Sequence, residues 1–464
     1  MLGTYGSFLL ILVASTLVGQ AIFAVCGRRK PSWLSPAVGL AALVALAWGT
    51  IRLPGADTAA LVAVLVATGG SLLVLRGRLQ SPGRAVIAGL PAATLGLLAA
   101  SIPFFVEGRF GILGTGLDPD MSQHLLAAHQ LAAGESGPLL AAGYPLGPHA
   151  LVAAVSQGTG ASLVQAFDGL TLAVAVAAVL APLAILEELA PVRRLVGALL
   201  VGLPYMFAAY LIQGAFKETI EALFVLAFAI GMHELYLGRL IGGPRATVLV
   251  GAPLAVLGIG AAYSYSFPGL LWLAGALGLW AAVELLAAGR RYGLRGVAEI
   301  IGISWPPVAV ALVLMAAALA PELGRLADFA SFQTFDPHGA GLGNLFNRIS
   351  PLEALGIWPS GDFRLDPGAG AVPATGFYLG CLIGAVALLY GLAWWLRRGE
   401  LAVPAALTVA AALVVYALAV GTPYQEAKAI AIASPLAMLV SARALLSGEP
   451  FTELTQLVAR CASR

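Results

Sequence analysis

Thirteen apolar segments run through this chain, near residues 7–25, 35–50, 58–75, 85–105, 161–186, 195–213, 219–238, 246–263, 267–287, 299–320, 375–396, 402–420 and 429–446. A bilayer about 30 Å thick asks for roughly 20 apolar residues per helical crossing, and its interior offers no water to an unpaired backbone N–H or carbonyl. Segments of this length and number therefore commit the chain to helices that satisfy their own hydrogen bonds. The expected fold class is all-α, a polytopic transmembrane protein of about 13 spans. Composition agrees: 60% of the residues are hydrophobic and 10% charged, where soluble domains carry roughly 25% charge. No room remains for a large soluble domain. The first apolar segment lacks a basic stretch before it and a small-residue cleavage pattern after it, so it reads as a retained span and not as a signal peptide.

Charge sorts the connections into two chemically distinct sets. With the N-terminus outside, the inside connections and the C-terminal tail collect 18 of the 25 basic residues, among them Arg28, Arg29, Lys30, Arg76, Arg78, Arg84, Arg193, Arg194, Arg397 and Arg398. The opposite orientation would break the positive-inside rule, which places the chain in the cytoplasmic membrane with its C-terminus inside. Three regions follow: an N-terminal part, 1–84, with three spans; a main transmembrane module, 85–446, with long outer segments at 106–160 and 321–374; and a cytoplasmic tail, 447–464. The inside connections are short and contain no GxxxxGK[ST] loop, so no nucleotide-binding domain is expected there. A net charge of +2 gives no reason to expect nucleic acid as a partner. Cys26, Cys381 and Cys461 lack metal-ligand spacing.

The outside set is sparse and rich in chemistry. In Gly116-Leu-Asp-Pro-Asp-Met-Ser-Gln-His124, Asp118 before Pro119 suits a helix N-cap with proline at the first helical position. Asp120 and His124, four apart, share a face of the helix that follows, while Leu125, Ala128 and Ala132 offer an apolar face to the membrane surface. Such carboxylates can take a proton from an acceptor hydroxyl; alternatively Asp118, Asp120 and His124 can hold a divalent cation, Mg²⁺ or Mn²⁺. Tyr144 and His149 in Gly143-Tyr-Pro-Leu-Gly-Pro-His149 sit at a turn near the interface, where an aromatic anchor is equally reasonable. His129 is expected to face water.

Two further outside connections repeat one theme. Lys217 beside Glu218, and Lys428 near Glu426 and Tyr424, both open a span. Local ion pairs are one explanation, but exposed pairs stabilise by only about 0–1 kcal/mol. Phosphate binding by the ammonium groups is the other. The long late segment holds Phe332, Phe335, Phe346, Trp358 and Phe363 together with Arg348, Asp362 and Arg364. Aromatic rings suit the apolar face of a sugar, and an arginine can clasp phosphate with two parallel hydrogen bonds.

An acidic motif in a large outer loop after an early span, an amphipathic helix behind it, many further spans and a long late outer loop together resemble the GT-C glycosyltransferases. The resemblance covers roughly 85–446 and rests on this architecture, on Asp118-Pro-Asp120 and on Tyr144-Pro-Leu-Gly-Pro-His149. It implies a membrane enzyme that moves a sugar from a polyprenyl-phosphate donor to an extracytoplasmic glycan, lipid or protein. It also implies that Asp118 or Asp120 is the base, with Lys217, Lys428 and an arginine of the late loop on the donor phosphate. The family usually puts its acidic loop after the first span, whereas here three extra spans precede it. A lipid-linked-sugar flippase or another secondary transporter is the alternative, although such proteins ordinarily carry ionisable groups near mid-bilayer. A scaffold protein would not need lysine, histidine and carboxylate on one face.

Overall fold

The computed structural model describes residues 1–108, 120–240, 246–332, 341–343, 345, 347–355 and 362–448. Every regular element among them is helical. Asp118, His338, Phe335, Phe346, Trp358 and the end of the C-terminal tail lie outside the described residues.

The first four helices are α1 (Leu2–Val25), α2 (Ser35–Ile51), α3 (Ala56–Leu75) and α4 (Pro82–Glu107). The first large connection folds into α5 (Asp120–Ala133), a single turn α6 (Pro138–Ala141) and α7 (Gly147–Thr159). Next come α8 (Leu163–Leu180), α9 (Leu183–Leu186), α10 (Pro191–Gly202), α11 (Tyr205–Ile212), α12 (Phe216–Tyr236), α13 (Ala246–Leu249) and α14 (Ala252–Tyr265). The chain closes with α15 (Phe267–Leu319), α16 (Leu323–Phe329), α17 (Ala374–Arg398), α18 (Ala402–Val420) and α19 (Pro423–Leu446).

Nine helices among the described residues are long and apolar enough to cross a membrane. The segment expected at 195–213 is instead a broken pair, α10 and α11, bent by 57°. Pro204 sits at the break, where its missing N–H cannot continue the helical ladder. α2 and α14 are apolar but shorter, at 17 and 14 residues. A straight helix of the 53 residues in α15 would be about 80 Å long, far beyond a bilayer. Gly293, with φ 65° and ψ −162°, interrupts it. Beyond that kink the run returns to the end from which it set out, since the Tyr263 hydroxyl donates to the Ala318 carbonyl at 2.7 Å.

One apolar core extends from Phe8 to Ala444, and the three helices before residue 84 belong to it. α8 and α12 lie at its centre, with 94% and 89% of their most apolar stretches buried, whereas α15 is 6% buried and forms the outer wall.

Long-range contacts divide the connections between the two ends of the bundle. At one end Arg28 pairs with Glu234 (2.8 Å), Arg443 with Glu188 (3.2 Å), and the Trp33 indole N–H donates to Glu187 (2.7 Å). At the other end Arg52 pairs with Glu322 (2.6 Å), Tyr424 meets Asp120, and Lys428 meets Glu218. The same loops that charge alone had grouped are therefore neighbours in space.

Candidate functional site

Three loops far apart in sequence converge at the arginine-poor end. α5 brings Asp120 and His124, the first turn of α12 brings Lys217 and Glu218, and the first turns of α19 bring Tyr424 and Lys428. The α19 start is fixed by a capping box: Thr422 accepts from the Gln425 N–H while the Gln425 side chain accepts from the Thr422 N–H. These six side chains, with Tyr210 and Phe216, line one cavity of about 20 Å³, enough for a single water.

The pairings cross between loops. The Tyr424 hydroxyl donates to Asp120 Oδ2 at 3.0 Å. Lys428 Nζ lies 2.9 Å from Glu218 Oε1 and 4.0 Å from the centre of the Tyr424 ring. Lys217 Nζ sits 4.0 Å from the centre of the Tyr144 ring. Glu426 is completely buried and faces Arg348 at 3.5 Å. Lys428 thus pairs across loops and not with Glu426 of its own loop. Cation–π contacts of this kind hold an ammonium group in place while leaving N–H donors for a further oxygen.

Behind the lysines lies an aromatic wall. His149 Nε2 is 3.1 Å from His124 Nδ1, and both rings pack edge-on to Phe216. Burial pushes His149 down to about 3. Burial first, and then the charges of Lys217, His149 and Lys428, hold His124 well below its ordinary value. At neutral pH both rings are uncharged and share one proton between the facing nitrogens. Tyr144 packs against Phe329 and Phe332, so the sequence's interfacial anchor is a member of this wall. Gly143, at φ 69°, must remain free of a side chain because the Arg325 carbonyl and the Phe329 backbone press against it. His129 is exposed, as expected.

Of the apolar face expected on α5, Ala128 is buried and Leu125 and Ala132 are partly buried against the protein core. Met121, Ala127, Ala128 and Leu131 are buried, and α5 packs against α3, α7 and α8. This seating aims Asp120 and His124 into the cavity.

The described parts of the late segment cover the site. Phe363 stacks on Tyr210 with ring centres 5.7 Å apart. Gly343, at φ 59°, lies flat against the Tyr424 ring, where any side chain would collide. Asp362 and Arg364 pair with each other through Arg364 Nε at 2.8 Å, which lowers the Asp362 carboxyl and raises the Arg364 guanidinium. Of the two arginines proposed for phosphate, Arg348 is the one that reaches the start of α19. Among the described residues no three metal-ligating side chains lie together. Asp120 and His124 share their cavity with two lysines, surroundings that suit an anion better than Mg²⁺ or Mn²⁺.

Three residues that matter to this end of the bundle went unread in the sequence. Glu322, 1% exposed, accepts from both Arg52 and Arg325 at 2.6 Å, and Arg325 also donates to the Gly143 and Ala262 carbonyls. This knot holds the Tyr144 turn to the α14 end. Arg52 and Arg325, arginines at an end otherwise poor in them, were the available signal.

No family model, curated protein or solved structure matches this chain.

Proposed function

We propose that this chain is a multi-pass glycosyltransferase of the GT-C kind, embedded in the cytoplasmic membrane. In this reading it transfers a sugar from a polyprenyl-phosphate donor to an acceptor on the extracytoplasmic side. The observation that carries the proposal is the convergence of Asp120, His124, Lys217, Glu218, Tyr424 and Lys428 on one cavity at the arginine-poor end. Counting the broken pair as one crossing, α2 and α14 as one each and the kinked α15 as two brings the nine candidate spans to thirteen, with the N-terminus outside.

In the proposed reaction an acceptor hydroxyl oxygen bonds to the anomeric carbon while the bond from that carbon to the phosphate oxygen breaks. Asp120 takes the hydroxyl proton, oriented by the Tyr424 hydroxyl. The departing lipid phosphate keeps the electron pair, and Lys217 and Lys428 offset its charge. The lysines stand at the start of spans, the depth at which a membrane-bound phosphate sits. The cavity is too small for a sugar, so Tyr424 or the Tyr210–Phe216 turn has to move when the donor enters.

Asp120→Asn is expected to lower sugar transfer from polyprenyl-phosphate donor in proteoliposomes by about 10²- to 10⁴-fold, the usual worth of a general base. Tyr424→Phe should cost less, and both variants should keep the parent unfolding midpoint. Full transfer by Asp120→Asn would remove the proposed base.

One observation favours a second reading, a lipid-linked-sugar transporter. Glu221 of α12 is completely buried, and among the described residues neither of its carboxyl oxygens has a hydrogen-bond partner. An acid so placed could bind and release a coupling proton. Proton-dependent movement of a lipid-linked sugar across the vesicle, lost in Glu221→Gln and unaffected by Asp120→Asn, would favour transport.

A further inference from the structure

At the arginine-rich end, away from the Asp120 site, a cavity of about 420 Å³ opens between the 26–34 connection and the first turns of α4 and α10. Lys30, Arg84 and Arg194 line it, with Trp33, Ser81 and Glu187. Among the described residues no carboxylate pairs with any of these three cations. The one carboxylate present, Glu187, accepts from the Trp33 indole at 2.7 Å.

The loops that carry the cations are fastened to one another without using their charges. The Gln80 N–H donates to the Arg29 carbonyl at 2.9 Å, which ties the α4 entry to the 26–34 connection. The buried Gln20 amide donates to the Lys30 carbonyl and accepts from the Ser32 N–H and the Ser35 hydroxyl, both at 2.8 Å. Trp33 is wedged against Gly89 of α4 and reaches Glu187 just before α10. Three side-chain charges are thereby held round one space with their donors unspent.

Arg84 and Arg194 lie in the first turns of their helices, where the helix dipole disfavours a cation. An orientation signal for the membrane explains basic residues anywhere in these connections, and it does not require them to converge. An anion in the cavity would account for both features. Three cations against Glu187 leave two positive charges, which matches a phosphate monoester, at about −1.5 to −2 near pH 7, better than a singly charged phosphodiester. Next to the cavity α4 presents Val86, Ile87 and Leu90 as exposed apolar side chains, a strip on which a lipid chain can lie.

We propose that Lys30, Arg84 and Arg194 form a binding site for a membrane lipid whose headgroup is a phosphate monoester, with its chain lying along Val86, Ile87 and Leu90. The site is independent of sugar transfer at the opposite end.

The test uses the full chain in detergent micelles, titrated with phosphatidic acid and read by native mass spectrometry. Replacing Lys30, Arg84 and Arg194 together by Gln should weaken binding about a hundredfold, since each basic side chain near a lipid surface contributes about a factor of five. Arg397→Gln, which removes an exposed cation outside the cavity, should bind as the parent does, and all variants should keep the parent unfolding midpoint. Phosphatidylglycerol, a phosphodiester, should bind more weakly than phosphatidic acid, and inorganic phosphate more weakly still. Equal affinity of the triple variant and the parent overturns the site. Equal affinity for the two lipids overturns the monoester headgroup, and inorganic phosphate binding as tightly as phosphatidic acid overturns the lipid.

Discussion

His149 shows what burial does to a titratable group beside the candidate site. Its ring is completely enclosed, one nitrogen faces His124 and the other has no hydrogen-bond partner among the described residues. The folded protein therefore keeps it neutral down to about pH 3, whereas an unfolded chain takes up a proton near pH 6.5. Below pH 6.5 the unfolded state binds more protons, so stability is complete above that pH and is lost as pH falls toward 3. The slope is about 1.4 kcal/mol per pH unit for each such histidine. In detergent, the unfolding midpoint of the parent should drop between pH 7 and pH 5, and that of His149→Gln should drop less. Parallel pH profiles would show that the pair does not carry this penalty. At this scale the sequence disclosed Asp120, His124, Lys217 and Lys428, because a rare charged residue in an apolar chain is conspicuous. It did not disclose that Lys428 would choose Glu218 over nearby Glu426, since that choice depends on how α12 and α19 are seated.

Among the elements, α1 and α2 make the tightest demand on residue size. Gly19 of α1 lies against the Ser35 carbonyl, and Gly39 of α2 lies against the Ser15 carbonyl, so each glycine meets the other helix's backbone. Small residues four apart on both helices, Ser15 and Gly19 facing Ser35 and Gly39, permit this approach, as is common between helices in lipid. A β-branched side chain at Gly39 would push the helices apart. Gly39→Val is expected to cost about 1–3 kcal/mol or more, as overpacking does, and to lower the unfolding midpoint, while Gly49→Val, which meets nothing, should leave it nearly unchanged. Helix existence was legible from apolar runs, but breaks were not. Pro204 divides α10 from α11, whereas Pro91 and Pro103 remain inside α4. A proline's effect depends on whether neighbouring helices re-satisfy the freed carbonyl, which is a property of the packed bundle.

The whole molecule has two unlike ends, one dense in arginine and one holding the Asp120 cavity. If the arginine-rich end faces the cytoplasm, exposed Glu135 near α5 and exposed Arg78 before α4 lie on opposite sides of the membrane. In a Cys461→Ser background, where the two described native cysteines are buried, a membrane-impermeant maleimide applied to intact cells should label Glu135→Cys and spare Arg78→Cys. The reverse pattern would invert the orientation. The arginine-rich end also carries more structure than a topology signal needs. It holds the Arg28–Glu234 and Arg443–Glu188 pairs as well as the cavity lined by Lys30, Arg84 and Arg194.

The amino-acid sequence by itself determined that the chain is helical and membrane-embedded, and which connections share an end. Those properties follow from apolar run length and from the parity of crossings, both additive along the chain. Tertiary structure alone decided that α5 turns its apolar face to protein, that Lys428 pairs with Glu218, and that Arg52, Glu322 and Arg325 knot together across some 270 positions. Such contacts depend on helix rotation and tilt, which packing between small side chains sets and no local pattern of residues encodes.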